Sequence, residues 1–339
     1  MPCVAPRQWF TVRRIVVTGA SDAKPIPDVP RRLDKPLVNC TAPISDSELT
    51  AALRLLLAAS GDPSPASATQ VATFFEYLQV ARIGWAGHCV RREGVLRGLA
   101  FAMLLPGRTA MVMYPQPGEF GIDAGDQDAA LAALMSDLDC RALRFTQVLL
   151  EAADEARREL ALRHGFRRLT RLIYLERDAR DPGVEAPRPD GGRWVSFTPE
   201  RFELFARTVE ATYVDSLDCP ELSGLRPVQE AILAHQAAGR FTPELWEVLE
   251  IDGQPVACLL LAPHLGGATL ELVYMGVCPA RRRGGVGALL LRRALQRCRE
   301  RGARHLTLVV DERNLPARKL YERFGFRTLA LREAYLRRG

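Results

Sequence analysis

The chain has 339 residues, of which 47% are apolar and 25% charged, and this is the composition of an ordinary globular protein. It argues against a disordered, collagenous or membrane-spanning chain, and the length allows two domains. The formal net charge is +6, and nearly all of the positive charge is arginine, which suits the binding of phosphates and carboxylates. Solvated helix surfaces are the commoner explanation of such charge.

Eight cysteines are scattered without a Cys-x-x-Cys pair, and none is spaced with a histidine as in a zinc site. We therefore expect a reducing, cytoplasmic setting and no bound metal. The N-terminal apolar run at 15–17 is too short for a signal peptide, and no run approaches the ~20 residues that a membrane helix needs. We expect no membrane partner.

Residues 1–36 are rich in proline and lack sustained periodicity, which predicts a loosely ordered extension with one short strand at 10–17. The turn that begins at Thr18 lacks both the GxGxxG spacing and the following helix of a dinucleotide site. From Ser45 onward the apolar spacing predicts a helix that has Asp46 or Ser47 as its N-cap and ends at 61–63. It also predicts helices at 67–78, 128–138 and 152–163, and strands at 85–91, 99–105, 109–114, 143–149 and 171–176.

A break rich in proline and glycine at 178–192 is typical of a linker, and the same order of elements recurs after it. Strands are predicted at 193–197, 244–251, 256–261, 269–277 and 305–310 and at the C-terminus, with helices that start near 199, 227, 285 and 315. At a constant offset of 160 residues, identical residues coincide: Thr109 with Thr269, Tyr114 with Tyr274, Leu160 with Leu320, Gly165 with Gly325 and Phe166 with Phe326. The sequence therefore predicts a duplication, with domains at 37–178 and 194–339 and a linker at 179–193.

The stretch 270–287 is the most informative, because a predicted strand runs into a glycine-rich turn and then an amphipathic helix. Such a turn leaves backbone N–H groups pointing outward at a helix start, where the helix dipole favours an anion. Glycine is needed there because a side chain blocks the close approach of a pyrophosphate.

Together with the segment 314–326, this stretch resembles the GNAT (Gcn5-related) N-acetyltransferase family over residues 194–339. The family signatures are V-x-P-x-x-R/Q-x-x-G-x-G/A and N-x-x-A-x-x-L-Y-x-x-x-G-F. The first is matched by Arg282, Gly285 and Gly287, and the second by Asn314, Ala317, Leu320, Tyr321, Gly325 and Phe326. One departure is Gly284, where many members carry a second basic residue.

The resemblance implies an α/β (α+β) fold of two tandem GNAT-like domains, each a mixed, mostly antiparallel sheet flanked by helices. It implies that acetyl-CoA binds where the fourth and fifth strands of the second domain splay apart, with its pantetheine on the backbone of Met275 and Val277. The pyrophosphate is expected on the amides of the turn, which comprises Arg282, Arg283, Gly284, Gly285, Val286 and Gly287. Asn314 either caps a helix or contacts the cofactor.

The same resemblance implies direct transfer of the acetyl group to an amine. An amine with a pKa of roughly 10 is neutral in only about one molecule in a few thousand at pH 7, so a base or a water chain must remove its proton. Glu271 is the candidate base, with a solvent-facing strand residue as the alternative. Tyr321 is expected to donate to the departing CoA thiolate, with a purely packing role as the alternative.

Two carboxylates, Asp215 and Asp218, lie after the first helix of the second copy, where the family commonly forms its acceptor-binding loop. They are candidates for holding a cationic amine, and a plain polar loop is the alternative. Backbone N–H groups near Met275 or Val277 are candidates for polarising the thioester carbonyl. The five histidines are isolated in the sequence and are expected to be structural.

The first copy lacks these features. The offset of 160 residues places Met111, Ile122, Gln127 and Ala161 where the second copy has Glu271, Arg282, Gly287 and Tyr321. The N-terminal half is therefore predicted to be a degenerate copy that has lost acetyl-CoA.

The sequence thus predicts an N-acetyltransferase that uses acetyl-CoA and acetylates an unidentified small-molecule or peptide amine, with its two halves packed as a pseudo-dimer. One alternative is a catalytically silent acyl-CoA-binding sensor or interaction module. Another is a nucleic-acid binder, but no aromatic-interleaved basic motif or helix-turn-helix pattern supports it.

Overall fold

The computed structural model describes residues 41–58, 64–180, 191–265 and 267–339. The predicted N-terminal extension, with its strand at 10–17 and the turn at Thr18, lies outside the described residues, as does most of the predicted linker.

The order of elements repeats in the two halves. The first half contains β1 (Thr41–Pro43), α1 (Asp46–Leu56), α2 (Ala68–Val80), β2 (Gly84–Arg92), β3 (Val95–Leu105), β4 (Thr109–Met113), α3 (Ala124–Asp139), β5 (Phe145–Leu150), α4 (Glu155–Arg163) and β6 (Arg167–Asp178). The second contains β7 (Gly192–Ser196), α5 (Phe202–Tyr213), α6 (Val228–Gln236), β8 (Trp246–Ile251), β9 (Gln254–Pro263), β10 (Thr269–Val277), α7 (Val286–Glu300), β11 (His305–Asp311), α8 (Leu315–Arg323) and β12 (Arg327–Arg338). The predicted duplication is confirmed.

Local capping explains where several helices begin. α1 starts one residue earlier than predicted, because Ser45 forms a capping box with Glu48. α3 starts at Ala124 rather than at 128, because the Asp123 carboxylate accepts the N–H groups of Gly125 and Asp126.

The strands form one twelve-stranded sheet in the order β1-β2-β3-β4-β5-β12-β6-β11-β10-β9-β8-β7. Among the described strands, only the β4–β5 and β10–β11 pairs are parallel, so the sheet is mostly antiparallel as predicted. The order is symmetric about the central β12–β6 pair, in which Arg167 lies opposite Leu336 and Glu176 opposite Arg327. The two halves therefore meet like the subunits of a two-fold dimer.

The halves exchange their last strands. β6 of the first half pairs with β11 of the second, and β12 of the second half pairs with β5 of the first. The predicted domain bounds at 178 and 194 divide the chain between β6 and β7. The pairing of β6 with β11 and of β12 with β5 crosses this division.

Helices cover both faces of the sheet. On one face, α1, α2, α5 and α6 share a single apolar core that includes Leu53, Phe74, Phe205 and Ile232. On the other face the core is divided, with α3 and α4 packed over the first half and α7 and α8 over the second. The halves also contact through the Tyr77 hydroxyl, which donates to the Ala237 carbonyl at 3.0 Å.

Candidate functional site

A cavity of about 690 Å³ opens where β10 and β11 separate. The two strands pair only from Thr269 to Leu272, and a bulge follows in the pairing of β10 with β9. Beyond Leu272, the β11 side of β10 is an open strand edge in the described sheet. The cavity is lined by residues of both strands, of the start of α7, of α8 and of the segment after α5.

The glycine-rich turn forms one end of the cavity. A short 3-10 turn leads from β10 through Arg283 (φ 62°) and Gly285 (φ 82°) into α7. The first N–H groups of a helix have no partner inside it, and among the residues that the structure describes no side chain caps α7. A Cβ atom added at Gly285 meets nothing within 4 Å, so the helix start faces open space that is suited to an anion.

Arg282 lines the cavity but is already bonded. Its N–H donates to the Pro279 carbonyl at 3.2 Å. Its guanidinium donates to four further carbonyls, including that of Val277 at 3.0 Å. The N–H groups available to a pyrophosphate are therefore those from Arg283 to Gly287, and the expected contact from the Arg282 amide is not provided by this geometry.

Three other residues that the resemblance assigns to the cofactor, Met275, Val277 and Asn314, line the same cavity. Met275 and Val277 line the cavity along the open edge of β10. Asn314 also lines it, and its side chain caps α8 by accepting the Ala317 N–H at 3.3 Å. Capping and a place beside the cofactor are thus compatible for this residue.

Tyr321, the candidate acid, lies on α8, is 7% exposed and lines the cavity. Its ring packs against Phe326 with a centroid separation of 5.6 Å. Packing therefore fixes the ring at the cavity wall.

Both residues predicted to bind the acceptor, Asp215 and Asp218, line the cavity. Asp215 has a left-handed backbone (φ 51°). Asp218 is bound to the end of β11, because its Oδ1 accepts the Asp311 N–H at 3.0 Å.

Glu271 stands apart from these residues. Its side chain is fully buried, and it is not among the residues that line the described cavity. Its Oε2 lies 3.2 Å from Nε2 of His264, whose side chain is 12% exposed. The alternative of a solvent-facing strand residue is therefore wrong for Glu271. His264, which is isolated in the sequence, lies beside this carboxylate in the fold.

Several residues that line the cavity were not predicted from the sequence. Arg323 follows Tyr321 on α8 and lines the cavity, yet nothing in its spacing separates it from other surface arginines. Thr212 shares a 2.8 Å hydrogen bond with the Tyr274 hydroxyl, and burial raises the pKa of that tyrosine. A Cβ atom at Gly276 would lie 2.4 Å from Oγ1 of Thr212, so only glycine fits beside this pair.

The corresponding region of the first half is filled. The carboxylate of Asp123 occupies the start of α3 by accepting two N–H groups at 2.9 and 3.1 Å. The fully buried amide of Gln127, which replaces Gly287, bonds both the N–H and the carbonyl of Leu99. A helix start closed by its own carboxylate offers no anion site.

In the described part of the chain, no group of three or more His, Cys, Asp or Glu side chains is arranged to hold a metal ion. Nor does that part include a helix with the length and apolar character needed to cross a membrane.

Comparison with known proteins agrees with this geometry. The sequence model of one family, described as the acetyltransferase (GNAT) family, matches residues 210–326. The mycothiol acetyltransferase of Thermomonospora curvata is 31% identical over 178 residues, which cover 52% of this chain and 58% of that protein. This chain therefore spans about three fifths of that relative's length. The mycothiol acetyltransferase of Clavibacter sepedonicus is 29% identical over 284 residues, or 84% of this chain and 80% of that protein.

Two solved structures share the fold across both halves. A GCN5-related N-acetyltransferase from Sphaerobacter thermophilus has a TM-score of 0.63 at 20% identity, covering 88% of this chain and 95% of its own. A tandem GNAT protein from the clavulanic acid biosynthesis pathway has a TM-score of 0.58 at 17% identity, covering 88% and 98%. At such identities the likeness concerns the fold alone.

Proposed function

We propose that this chain is an acetyltransferase of the GNAT family, whose model matches residues 210–326, and that it transfers an acetyl group from acetyl-CoA to a primary amine. The observation that carries this proposal is the open, uncapped start of α7, which lies at the cavity where β10 and β11 separate. Within the part of the chain that the structure describes, only this half combines an uncapped helix start with an open strand edge, so we propose one acetyl-CoA site per chain.

The chain's own residues supply the binding. The N–H groups from Arg283 to Gly287 hold the pyrophosphate, helped by the positive end of the α7 dipole. The open edge of β10 at Met275 and Val277 pairs with the pantetheine amides. Arg283 and Arg323 also line the cavity, and their charge suits the phosphates of the nucleotide.

The proposed reaction is a direct displacement. The neutral amine attacks the thioester carbonyl, so that a C–N bond forms and the C–S bond breaks. Tyr321 donates a proton to the departing thiolate, and the ammonium proton passes to a base. Glu271 remains the proposed base; because it does not line the cavity, the proton reaches it from the ammonium through a water chain. Its contact with the partly exposed His264 then gives the buried carboxylate a route for that proton to solvent.

The acceptor is proposed only as a class. Asp215 lines the cavity and supplies negative charge for a cationic amine before it loses its proton. The relatives are named for mycothiol, so mycothiol lacking its acetyl group is the first amine to test.

The test is release of free CoA thiol from acetyl-CoA in the presence of a panel of amines: deacetylated mycothiol, amino sugars, amino acids, polyamines and a peptide with a free N-terminus. We expect at least one primary amine to accelerate thiol release above the rate in buffer, and the Gly285→Glu variant to lose that acceleration. Binding of acetyl-CoA without acceleration by any amine would favour the silent sensor instead.

A further inference from the structure

The guanidinium of Arg282 joins the glycine-rich turn at 282–287, termed here the phosphate turn, to the segment at the end of α5. Its Nη1 donates to the Asp215 carbonyl at 3.1 Å, and its Nη2 donates to the carbonyls of Thr212 and Val214 at 3.1 and 2.6 Å. Its Nε donates to the carbonyl of Val277, at the end of β10. One side chain therefore ties the end of β10 to the end of α5.

These partners explain why an arginine stands at this position. The last carbonyls of α5 lack partners inside the helix and carry the negative end of its dipole. A guanidinium offers five donors in a rigid fork, so it can satisfy several carbonyls at once, whereas a lysine offers one compact ammonium.

The segment that follows α5, residues 214–219, is termed here the acceptor loop. Its far end is held to β11 by a reciprocal pair, in which Cys219 N–H donates to Oδ2 of Asp311 at 3.1 Å and Asp311 N–H donates to Oδ1 of Asp218 at 3.0 Å. Arg282 holds the near end. Asp215 and Asp218, the two acidic residues of the loop that line the cavity, are thus held by Arg282 at one end of the loop and by Asp311 at the other.

We propose that Arg282 is a positioning residue that fixes the acceptor loop against the phosphate turn, and that it acts on the acceptor side of the site rather than on the cofactor. This inference rests on the proposed function for the meaning of the loop. Its geometric basis is independent of that function, because both the N–H and the guanidinium of Arg282 are already bonded to carbonyls of the chain.

The test compares Arg282→Gln and Arg282→Lys with the matched control Arg281→Gln, which removes the same charge from an exposed neighbour that does not line the described cavity. Hydrogen exchange is followed at the acceptor loop, where Ser216 N–H donates to the Tyr213 carbonyl. In Arg282→Gln we expect the loop amides to exchange about tenfold faster, with partial rescue in Arg282→Lys and no change in the control. The dissociation constant of acetyl-CoA should stay within about twofold in all three.

Kinetics with an amine that supports thiol release give a second readout. Arg282→Gln should raise the KM for the amine about tenfold or more without raising the KM for acetyl-CoA. The proposal is overturned if Arg282→Gln weakens acetyl-CoA binding about tenfold while the loop exchanges as in the wild type. If the wild type binds no acetyl-CoA, the proposed function fails, but the exchange result still tests whether Arg282 holds the loop.

Discussion

Thr170 donates a 2.7 Å hydrogen bond to Oδ1 of Asp311, although the two residues lie 141 positions apart in the chain. Thr170 belongs to β6 of the first half, and Asp311 ends β11 beside the cavity of the second. The first half therefore supplies a strand and a hydrogen bond beside the candidate site of the second half. This contribution does not depend on whether the first half binds a ligand of its own.

Asp311→Asn should destabilise the fold and loosen the acceptor loop. The carboxylate is fully buried and bonds Arg313, Thr170 and the Cys219 N–H, so we expect a loss of about 3 kcal/mol in the free energy of unfolding at pH 7. Urea denaturation measures it, and a loss below about 0.5 kcal/mol would contradict the assigned role.

The Asp311→Asn effect should depend on pH with a defined sign. Burial alone raises the pKa of the Asp311 carboxyl, but hydrogen bonds from Arg313 and Thr170 outweigh it and hold the pKa below its usual value of 3.8. A lowered folded-state pKa gives stability that is fully present well above pH 3.8 and is lost as the pH falls through the folded value. The difference in stability between wild type and variant should therefore be constant from pH 6 to 8 and shrink below about pH 4.

Thr170→Val tests how much the hydrogen bond from β6 to Asp311 adds to the free energy of unfolding. Removing the hydroxyl keeps the β-branched shape but removes one donor to Asp311, so we expect a loss of about 1 kcal/mol. Thr328→Val, at an exposed position of β12, is the matched control and should change stability by less than about 0.5 kcal/mol. Equal effects of the two substitutions would mean that the Thr170 hydroxyl contributes nothing specific.

Tyr321→Phe should separate catalysis from binding. The ring still packs against Phe326, so acetyl-CoA affinity should be unchanged, whereas kcat should fall about 100-fold because the proton donor is lost. Tyr114→Phe removes a hydroxyl that bonds the Arg157 carbonyl in the first half and should leave kcat unchanged. An unchanged kcat in Tyr321→Phe would reduce this tyrosine to a packing residue.

Glu271→Gln tests the proposed base. The residue does not line the described cavity, so acetyl-CoA should bind as before, while kcat falls about 100-fold. His264→Gln, which removes the partner 3.2 Å away, should lower kcat by a smaller factor. A variant that loses thermal stability but keeps kcat would assign the pair to packing instead.

Much of this fold follows from hydrophobic periodicity and from the repeat. β10 has the predicted bounds, and the offset of 160 residues relates the segment from β4 to β6 to the segment from β10 to β12. The strand exchange was not predictable, because β6 and β12 are both twelve-residue strands with a run of four buried residues and suit either half of the sheet. The partners of Arg282 were equally hidden, because its carbonyl acceptors at Thr212, Val214 and Asp215 lie 67 to 70 positions away and carry no sequence signal.

A single acetyl-CoA site at the start of α7 is tested most directly by calorimetric titration of acetyl-CoA into the wild type, into Gly285→Glu and into Gly125→Glu. Gly125 is the counterpart of Gly285 at the offset of 160 residues and lies at the start of α3, where Asp123 already closes the helix. We expect one site per chain, abolished by Gly285→Glu and preserved in Gly125→Glu. Two sites, or binding that survives Gly285→Glu, would contradict the single anion site at α7.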